Sequence, residues 1–402
     1  MISKLEATVT KPKYLLPTIF LLIFIVSIPV VLKDSGYLNA YVLLSKSLLE
    51  GTVSLTDVQR FGGMDLIYYN EHYYLPYPPL PAIILMPVVG LFGSSYIPSS
   101  LIAVLVALLS LHLLYRILNK INMTPVKTFW LLLGFSLGSP FWFVLTTSNY
   151  HYGFAQVLAC FFCILFIYEY YHQKRVGLLA LYIGLGFLCR QTILFYGFFF
   201  LFTCLEQPAS YSFNLKKIVT FSLVLIPFGA IMAYYNYIRF GNPFSSGYEY
   251  INYIEPLASR VEQHGVFSWH YVPFNFYTTF IKGHNLIFGG SDLLQLKGVD
   301  LFGTSLTVAS PFIFFSLKAK ASRRYVLAVI LSILPILLIH LFYHNNGFHQ
   351  VNTSRFALDY FPLLFLLIAL GAKHIHISVI RALITYSIAL TAFSFAVYQI
   401  YQ

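Results

Sequence analysis

The sequence predicts an all-α integral membrane protein of about eleven transmembrane helices with extracytoplasmic loops, and three observations predict it. Of 402 residues, 58% are hydrophobic and only 10% charged, against roughly a quarter charged in an average soluble domain. A soluble core could not hide that much apolar surface. Several unbroken apolar runs, among them 14–32 and 218–237, approach the roughly 20 residues needed to cross about 30 Å of hydrocarbon. Finally, most Lys and Arg residues fall in short segments between such runs, as cytoplasmic loops require.

The first element is the run 14–32, preceded by Lys4, Lys11 and Lys13. No small-residue cleavage site follows it, so it reads as a retained signal anchor. Further spans are expected at 97–117, 128–146, 153–171, 218–238, 302–317, 325–343, 357–371 and 378–400. The stretch 177–205 is too long for one helix and is taken as two short spans turning around Arg190. The stretch 80–92 is short and is punctuated by Pro78, Pro79, Pro81 and Pro87. Were it to cross, the basic loop from Lys318 to Arg324 and the later basic loops would be stranded outside. It is therefore expected as a re-entrant or interfacial helix, with the N-terminus cytoplasmic. No internal repeat divides the chain, so 1–402 is read as a single polytopic membrane domain. Two long segments leave the membrane on the outer side, about 33–79 and about 239–299, and most of the acidic residues gather there.

The net charge of +11 follows from membrane orientation, since the basic residues form no single face, and no nucleic-acid partner is implied. Cys160, Cys163, Cys189 and Cys204 lie in or beside apolar runs, which excludes a loop-stapling disulfide framework. Cys160 and Cys163 form a CxxC on a buried helix, where small apolar packing is the usual role.

The first external loop opens with DSGYLNAYVLLSKSLLEG, in which Tyr37, Ala40, Tyr41, Leu44 and Leu48 recur at helical spacing. It is expected to form an amphipathic helix on the membrane surface, ended by Gly51. Asp34 stands between the first span and that helix. It can cap the helix by accepting its first amides, or it can act as a general base toward an acceptor hydroxyl. The two roles compete, because capping lowers a carboxylate's basicity. Residues 65–74 are tyrosine-rich and suit a short hairpin or extended strip. The prolines at 76, 78, 79 and 81 force an extended entry into the apolar stretch that follows. Such backbone at membrane depth is sheltered only by protein or a water-filled cavity.

In this order, an acid after the first span, YLNAYVLLSKSLLEG and YYLPYPPLPAIILMPVVGLFG resemble the GT-C fold glycosyltransferases. The nearest likeness is to bacterial relatives of the protein O-mannosyltransferases and of the lipid A aminoarabinose transferase. GLGFLCRQTILF, YNYIRFGNPFSSGYEY and SRFALDYFPLLFLL extend the likeness over most of the chain, although each motif is degenerate. The resemblance implies a polyprenyl-phosphate sugar donor, a lipid, glycan or protein acceptor, transfer on the extracytoplasmic side of a bacterial plasma membrane, and an acid of the first external loop as base. By position Asp34 inherits that role, with Asp65 second. Many members carry a further acid in the next external loop, but here it reads TTSNYHYG. His151 is the group able to substitute, as a ligand for a divalent metal ion or for the donor phosphate; its alternative is a hydrogen-bonded histidine at a helix start.

A departing lipid phosphate needs directed positive charge. Arg190, Arg239 and Arg355 lie near outer span ends, where guanidinium can grip phosphate bidentately or can simply snorkel to headgroups. His344 and His349, in YHNNGFHQVNTSR close to Arg355, are further metal or phosphate candidates. A single displacement at the anomeric carbon would invert its configuration. A transporter or flippase of lipid-linked saccharides, a surface-polysaccharide polymerase or ligase, and a non-catalytic scaffold are the competing classes. The transporter usually shows paired repeats, which this sequence lacks.

Overall fold

The computed structural model describes residues 2–34, 39–56, 58, 65–94, 98–204, 215–347 and 349–401. In chain order its regular elements are α1 (Ile2–Val9), α2 (Pro12–Lys33), α3 (Ala40–Leu49), β1 (Ile67–Tyr69), β2 (His72–Tyr74), α4 (Leu80–Phe92), α5 (Ser99–Lys120), α6 (Pro125–Leu137) and α7 (Pro140–Thr146). There follow α8 (His151–His172), α9 (Val176–Phe187), α10 (Tyr196–Cys204), α11 (Leu215–Phe240), α12 (Leu257–His264) and α13 (Val272–Phe280). A hairpin of β3 (Leu286–Gly289) and β4 (Gln295–Val299) precedes α14 (Leu306–Ala309), α15 (Arg323–Phe342), α16 (Phe361–Ala372) and α17 (Ile377–Tyr401). The protein is mostly helical, and each of its two small sheets is a two-stranded antiparallel hairpin.

Among the described residues, six helices are long and apolar enough to cross a membrane: α2, α5, α8, α11, α15 and α17. A seventh is obtained if α6 and α7, bent by 52° at their break, form one span. The bend has a local cause, because Pro140 has no N–H to continue the ladder of α6. The predicted crossings at 177–205 and 357–371 are built from shorter pieces: α9, a 3-10 turn over Gln191–Phe195 and α10 in the first, and a 3-10 turn over Arg355–Asp359 before α16 in the second. At 302–317 the expected helix is replaced by the single turn of α14 and a 3-10 stretch over Pro311–Lys318. Pro311 again removes an amide that an α-helix continuing from α14 would need.

The chain divides into two compact units, one of 1–25, 111–144 and 267–402, the other of 26–110 and 145–266. In the first, α16 lies against the 3-10 stretch at 311–318 so closely that a Cβ on Gly371 would meet the Phe315 carbonyl oxygen at 1.7 Å. Only glycine permits that backbone approach. Val299, Val351, Val397 and Phe143 form an apolar cluster on which Leu286, Leu296, Phe395 and Tyr398 pack. At the other end of this unit, Glu6 receives a bidentate grip from Arg381 of α17 and a hydrogen bond from the Trp130 indole N–H at 2.7 Å. In the second unit α9 packs between α8 and α11, and α3 against α4.

α3 differs from its expected form. Ala40, Tyr41, Val42, Leu43, Leu44, Ser45 and Ser47 are all buried, so it is an interior helix rather than an amphipathic surface one. Its serines tolerate burial in part because the Ser45 hydroxyl lies against two carbonyl oxygens, Tyr41 at 2.6 Å and Ala82 of α4 at 2.7 Å. Tyr37, at the start of the predicted helix, lies outside the described residues. The strip at 65–74 does form a hairpin, β1–β2, with Ile67 opposite Tyr74.

Candidate functional site

Asp34 ends α2 and is 98% shielded, with only 2% of its surface exposed. It does not cap α3, whose N-cap is Asn39, accepting from the Tyr41 amide. The Asp34 Oδ2 instead accepts the Ser100 backbone N–H at 2.7 Å and lies 3.2 Å from the Ser99 hydroxyl, both in the first turn of α5. The carboxylate thus sits where α5 presents free amides and the positive end of its dipole. Capping is real, but it serves a helix some 65 residues further along the chain. The Ser99 hydroxyl also lies 3.5 Å from the Ser148 carbonyl oxygen, which ties this corner to the TTSNYHYG segment.

That segment turns tightly before α8. The amides of Ser148 and Tyr150 bond back to Leu145 and Thr147, and a Cβ on Gly153 would lie 2.3 Å from the Thr147 carbonyl oxygen. Glycine at 153 is therefore required for the turn to close onto the helix. The turn delivers His151 as the first residue of α8, 4% exposed, with its ring 5.2 Å from that of Tyr77 and 5.6 Å edge-on from Tyr152.

Asp65 meets His151 here. Its Oδ2 is 3.9 Å from His151 Nε2, and its own side chain is 53% exposed. Asp65 adopts φ 58°, a left-handed conformation that aspartate tolerates better than most residues. A half-exposed carboxylate beside a buried imidazole can accept a proton from an approaching hydroxyl. This arrangement joins two residues named from the sequence. Tyr77 was not among them, because a tyrosine in YPYPP-like context carries no signal beyond its aromatic character.

The arginines divide. Arg239, 3% exposed, gives Nε–H to the Tyr235 carbonyl at 3.1 Å, an Nη1–H to the Leu75 carbonyl at 2.7 Å and an Nη2–H to Asn236 Oδ1 at 2.7 Å. Its guanidinium also lies 3.8 Å from the Tyr235 ring centroid. Most of its directed donors are spent on protein acceptors, which fits a clamp between α11 and the extended segment before α4. Arg190 is half-buried and stands at the break after α9, its amide bonded to the Gly186 carbonyl. Both belong to the same unit as Asp34, Asp65 and His151.

The other unit holds the remaining candidates. Arg355 is buried, with its amide donating to Gln350 Oε1 at 2.9 Å and its guanidinium 5.0 Å from the Phe356 ring centroid. His344 is buried and His349 is exposed, the latter at φ 65°. The sequence reading overlooked Asp359, which is 2% exposed and 3.4 Å from His340 Nε2. An acid inside an apolar run was the available signal, since such a charge is costly without a partner; it lay within SRFALDYFPL but was read only for its arginine and proline.

Cys160, Cys163 and Cys189 are buried and form no disulfide, as packing cysteines. Among the described residues no group of three or more His, Cys, Asp or Glu is placed to hold a metal ion. Asp65 and His151 together offer one carboxylate and one imidazole, 3.9 Å apart.

The helices and these buried polar corners define an integral membrane protein with ionisable side chains sheltered inside it. No protein-family model matches the chain, and no curated protein or solved structure matches it either.

Proposed function

We propose that the protein is a membrane glycosyltransferase that moves a sugar from a polyprenyl-phosphate donor to an acceptor hydroxyl, with inversion at the anomeric carbon. The observation that carries this reading is the half-exposed Asp65 carboxylate held 3.9 Å from the buried His151 ring. Asp65 takes the acceptor's proton as the hydroxyl oxygen attacks the anomeric carbon, and the bond to the donor phosphate oxygen breaks. The lipid phosphate leaves with that bond's electron pair. Asp34, turned onto the α5 amides, positions the corner rather than acting as base, which reverses the order suggested by chain position. Arg190, in the same compact unit as Asp65 and His151, is the cation proposed to steady the phosphate; Arg239 is assigned to the scaffold.

The proposed topology has about eleven crossings, with α9, α10, α16 and the 302–317 segment completing the set in short pieces and 80–92 entering without crossing. The N-terminus lies in the cytoplasm and the site on the extracytoplasmic face of a bacterial plasma membrane. The charge bias of the loops supports this orientation.

The test uses purified full-length protein in vesicles with radiolabelled polyprenyl-phosphate sugars and a range of lipid, glycan and peptide acceptors. Label should reach an acceptor with wild type, fall strongly with Asp65→Asn and persist at a reduced level with Asp34→Asn. Transfer unaffected by Asp65→Asn removes the assigned base. Movement of intact lipid-linked sugar across the vesicle membrane without transfer replaces the enzyme with a transporter.

A further inference from the structure

Between Phe267 and Val299 the chain reverses the usual relation of polarity to burial. In α13 the buried positions are the polar Asn275 and Thr278, whereas Phe274, Phe276 and Tyr277 are exposed, followed by an exposed Ile281. The inward donors are satisfied by backbone. Asn275 Nδ2 lies 2.8 Å from the Tyr343 carbonyl oxygen, 3.0 Å from that of Leu341 and 3.2 Å from that of His340, the carbonyls that α15 leaves open at its C-terminal end. Thr278 returns its hydroxyl to the Phe274 carbonyl. The Ser268 amide donates to Phe342, so the whole segment is pinned at the end of a helix long and apolar enough to span a membrane.

The β3–β4 hairpin repeats the pattern. Leu286, Leu296 and Val299 pack toward Phe395, Val397 and Tyr398 in the last turns of α17, a second spanning-type helix. Its other side exposes Ile287 and Phe288, and its turn exposes Leu293 at 68% and Leu294 at 77%. Leu293 holds φ 58°, a strained value for a leucine. A water-facing turn has no use for two adjacent leucines, and no span prediction covers this segment. The charged side chain best able to disrupt an apolar surface, Lys282, is withdrawn and paired with Asp300 at 2.7 Å.

We propose that α13 and the β3–β4 hairpin form an interfacial element that inserts its aromatic and aliphatic face into the bilayer leaflet at which α15 and α17 end. The occupant of this face is lipid, because both parts are anchored to the last turns of spanning helices and therefore lie at the depth where acyl chains meet headgroups. Open strand edges and the exposed Asp292 and Lys297 hold the hairpin at that boundary, since the hydrocarbon core tolerates no unpaired backbone. Phe, Trp and Tyr opposite a polar face are the composition that interfacial insertion selects.

The test places a polarity-sensitive fluorophore on cysteine at Phe276→Cys and Leu294→Cys in the full chain, reconstituted in phosphatidylcholine vesicles. Glu262→Cys, on the exposed side of α12, is the aqueous control. Both side chains to be replaced are largely exposed, so the fold does not depend on them, and circular dichroism of each variant verifies it. The expected result is blue-shifted emission, at least a twofold loss of intensity with brominated lipid, and weaker quenching by iodide than at position 262. Emission and iodide quenching equal to the control at both sites overturn the proposal. Protection from iodide without quenching by brominated lipid also overturns it, in favour of a second protein chain covering the face.

Discussion

Asp34 and Asp65 stand at the edges of the same short turn before α8, yet their surroundings are opposite. Asp34 is shielded and accepts hydrogen bonds at the start of α5, while Asp65 is half open and faces a buried histidine. Asp34 Oδ2 is engaged by Ser99 and Ser100 at the start of α5, whereas Asp65 presents an open face to any group that approaches it. Proximity to a turn therefore does not decide how open a carboxylate is; the ownership of its lone pairs does.

The strongest way to break this comparison is Asp65→Asn. It should lower transfer by about 10²-fold or more, the usual contribution of a general base, while leaving the thermal midpoint within a degree or two, about the effect of a surface change. Loss of folding in place of loss of activity would reverse the two roles. Arg239→Lys tests a group whose donors are engaged by protein, as the Asp34 acceptor oxygen is. Lysine cannot reach the Leu75 carbonyl and Asn236 together, so a stability loss of about 2 kcal/mol is expected in a denaturation series. Asp34→Ala should cost about 1 kcal/mol, the scale of a lost helix cap, and Asp34→Asn less, because an amide oxygen still accepts from Ser100. Equal losses for both would show that charge, rather than the hydrogen bond, holds the corner.

The smallest effect concerns a third carboxylate. Burial pushes the Asp300 carboxyl up, but the Lys282 ammonium, the Phe302 amide and Asn285 outweigh it and hold Asp300 below the usual range. Its folded value lies below its unfolded one. The associated stability is therefore complete above about pH 4, the ordinary carboxylate value, and is lost as the pH falls through the depressed folded value. Thermal melts between pH 5 and pH 3 should show this slope in wild type and a shallower one in Lys282→Ala.

The spanning helices were legible because an apolar run long enough to cross hydrocarbon leaves its signature in consecutive residues; α2, α8, α11, α15 and α17 fall close to their expected positions. Where proline interrupts such a run, as at Pro311 and Pro140, the run survives but the helix does not. α3 was expected at the surface from the helical spacing of Tyr37, Ala40, Tyr41, Leu44 and Leu48, but a serine that bonds carbonyls, as Ser45 does, can be buried. Asp34 was located correctly but its helix was not, since a cap that joins residues 34 and 100 has no periodicity to betray it. Asp65 was named by its place in the resemblance and His151 for its imidazole; that they approach each other follows the turn that Gly153 lets close, whose role becomes plain only in the structure. Asp359 went unread because an apolar pattern draws attention away from the one acid within it.

The clasp on Glu6 has a consequence for assembly. Its partners are Trp130 and Arg381, and the contact with the latter closes a loop of 375 residues. During synthesis the sixth residue must wait, lacking its guanidinium, until α17 has entered the bilayer. Ribosome-bound chains halted before that helix should therefore hold α1 loosely, and the late docking of Arg381 acts as a latch that registers the insertion of α17.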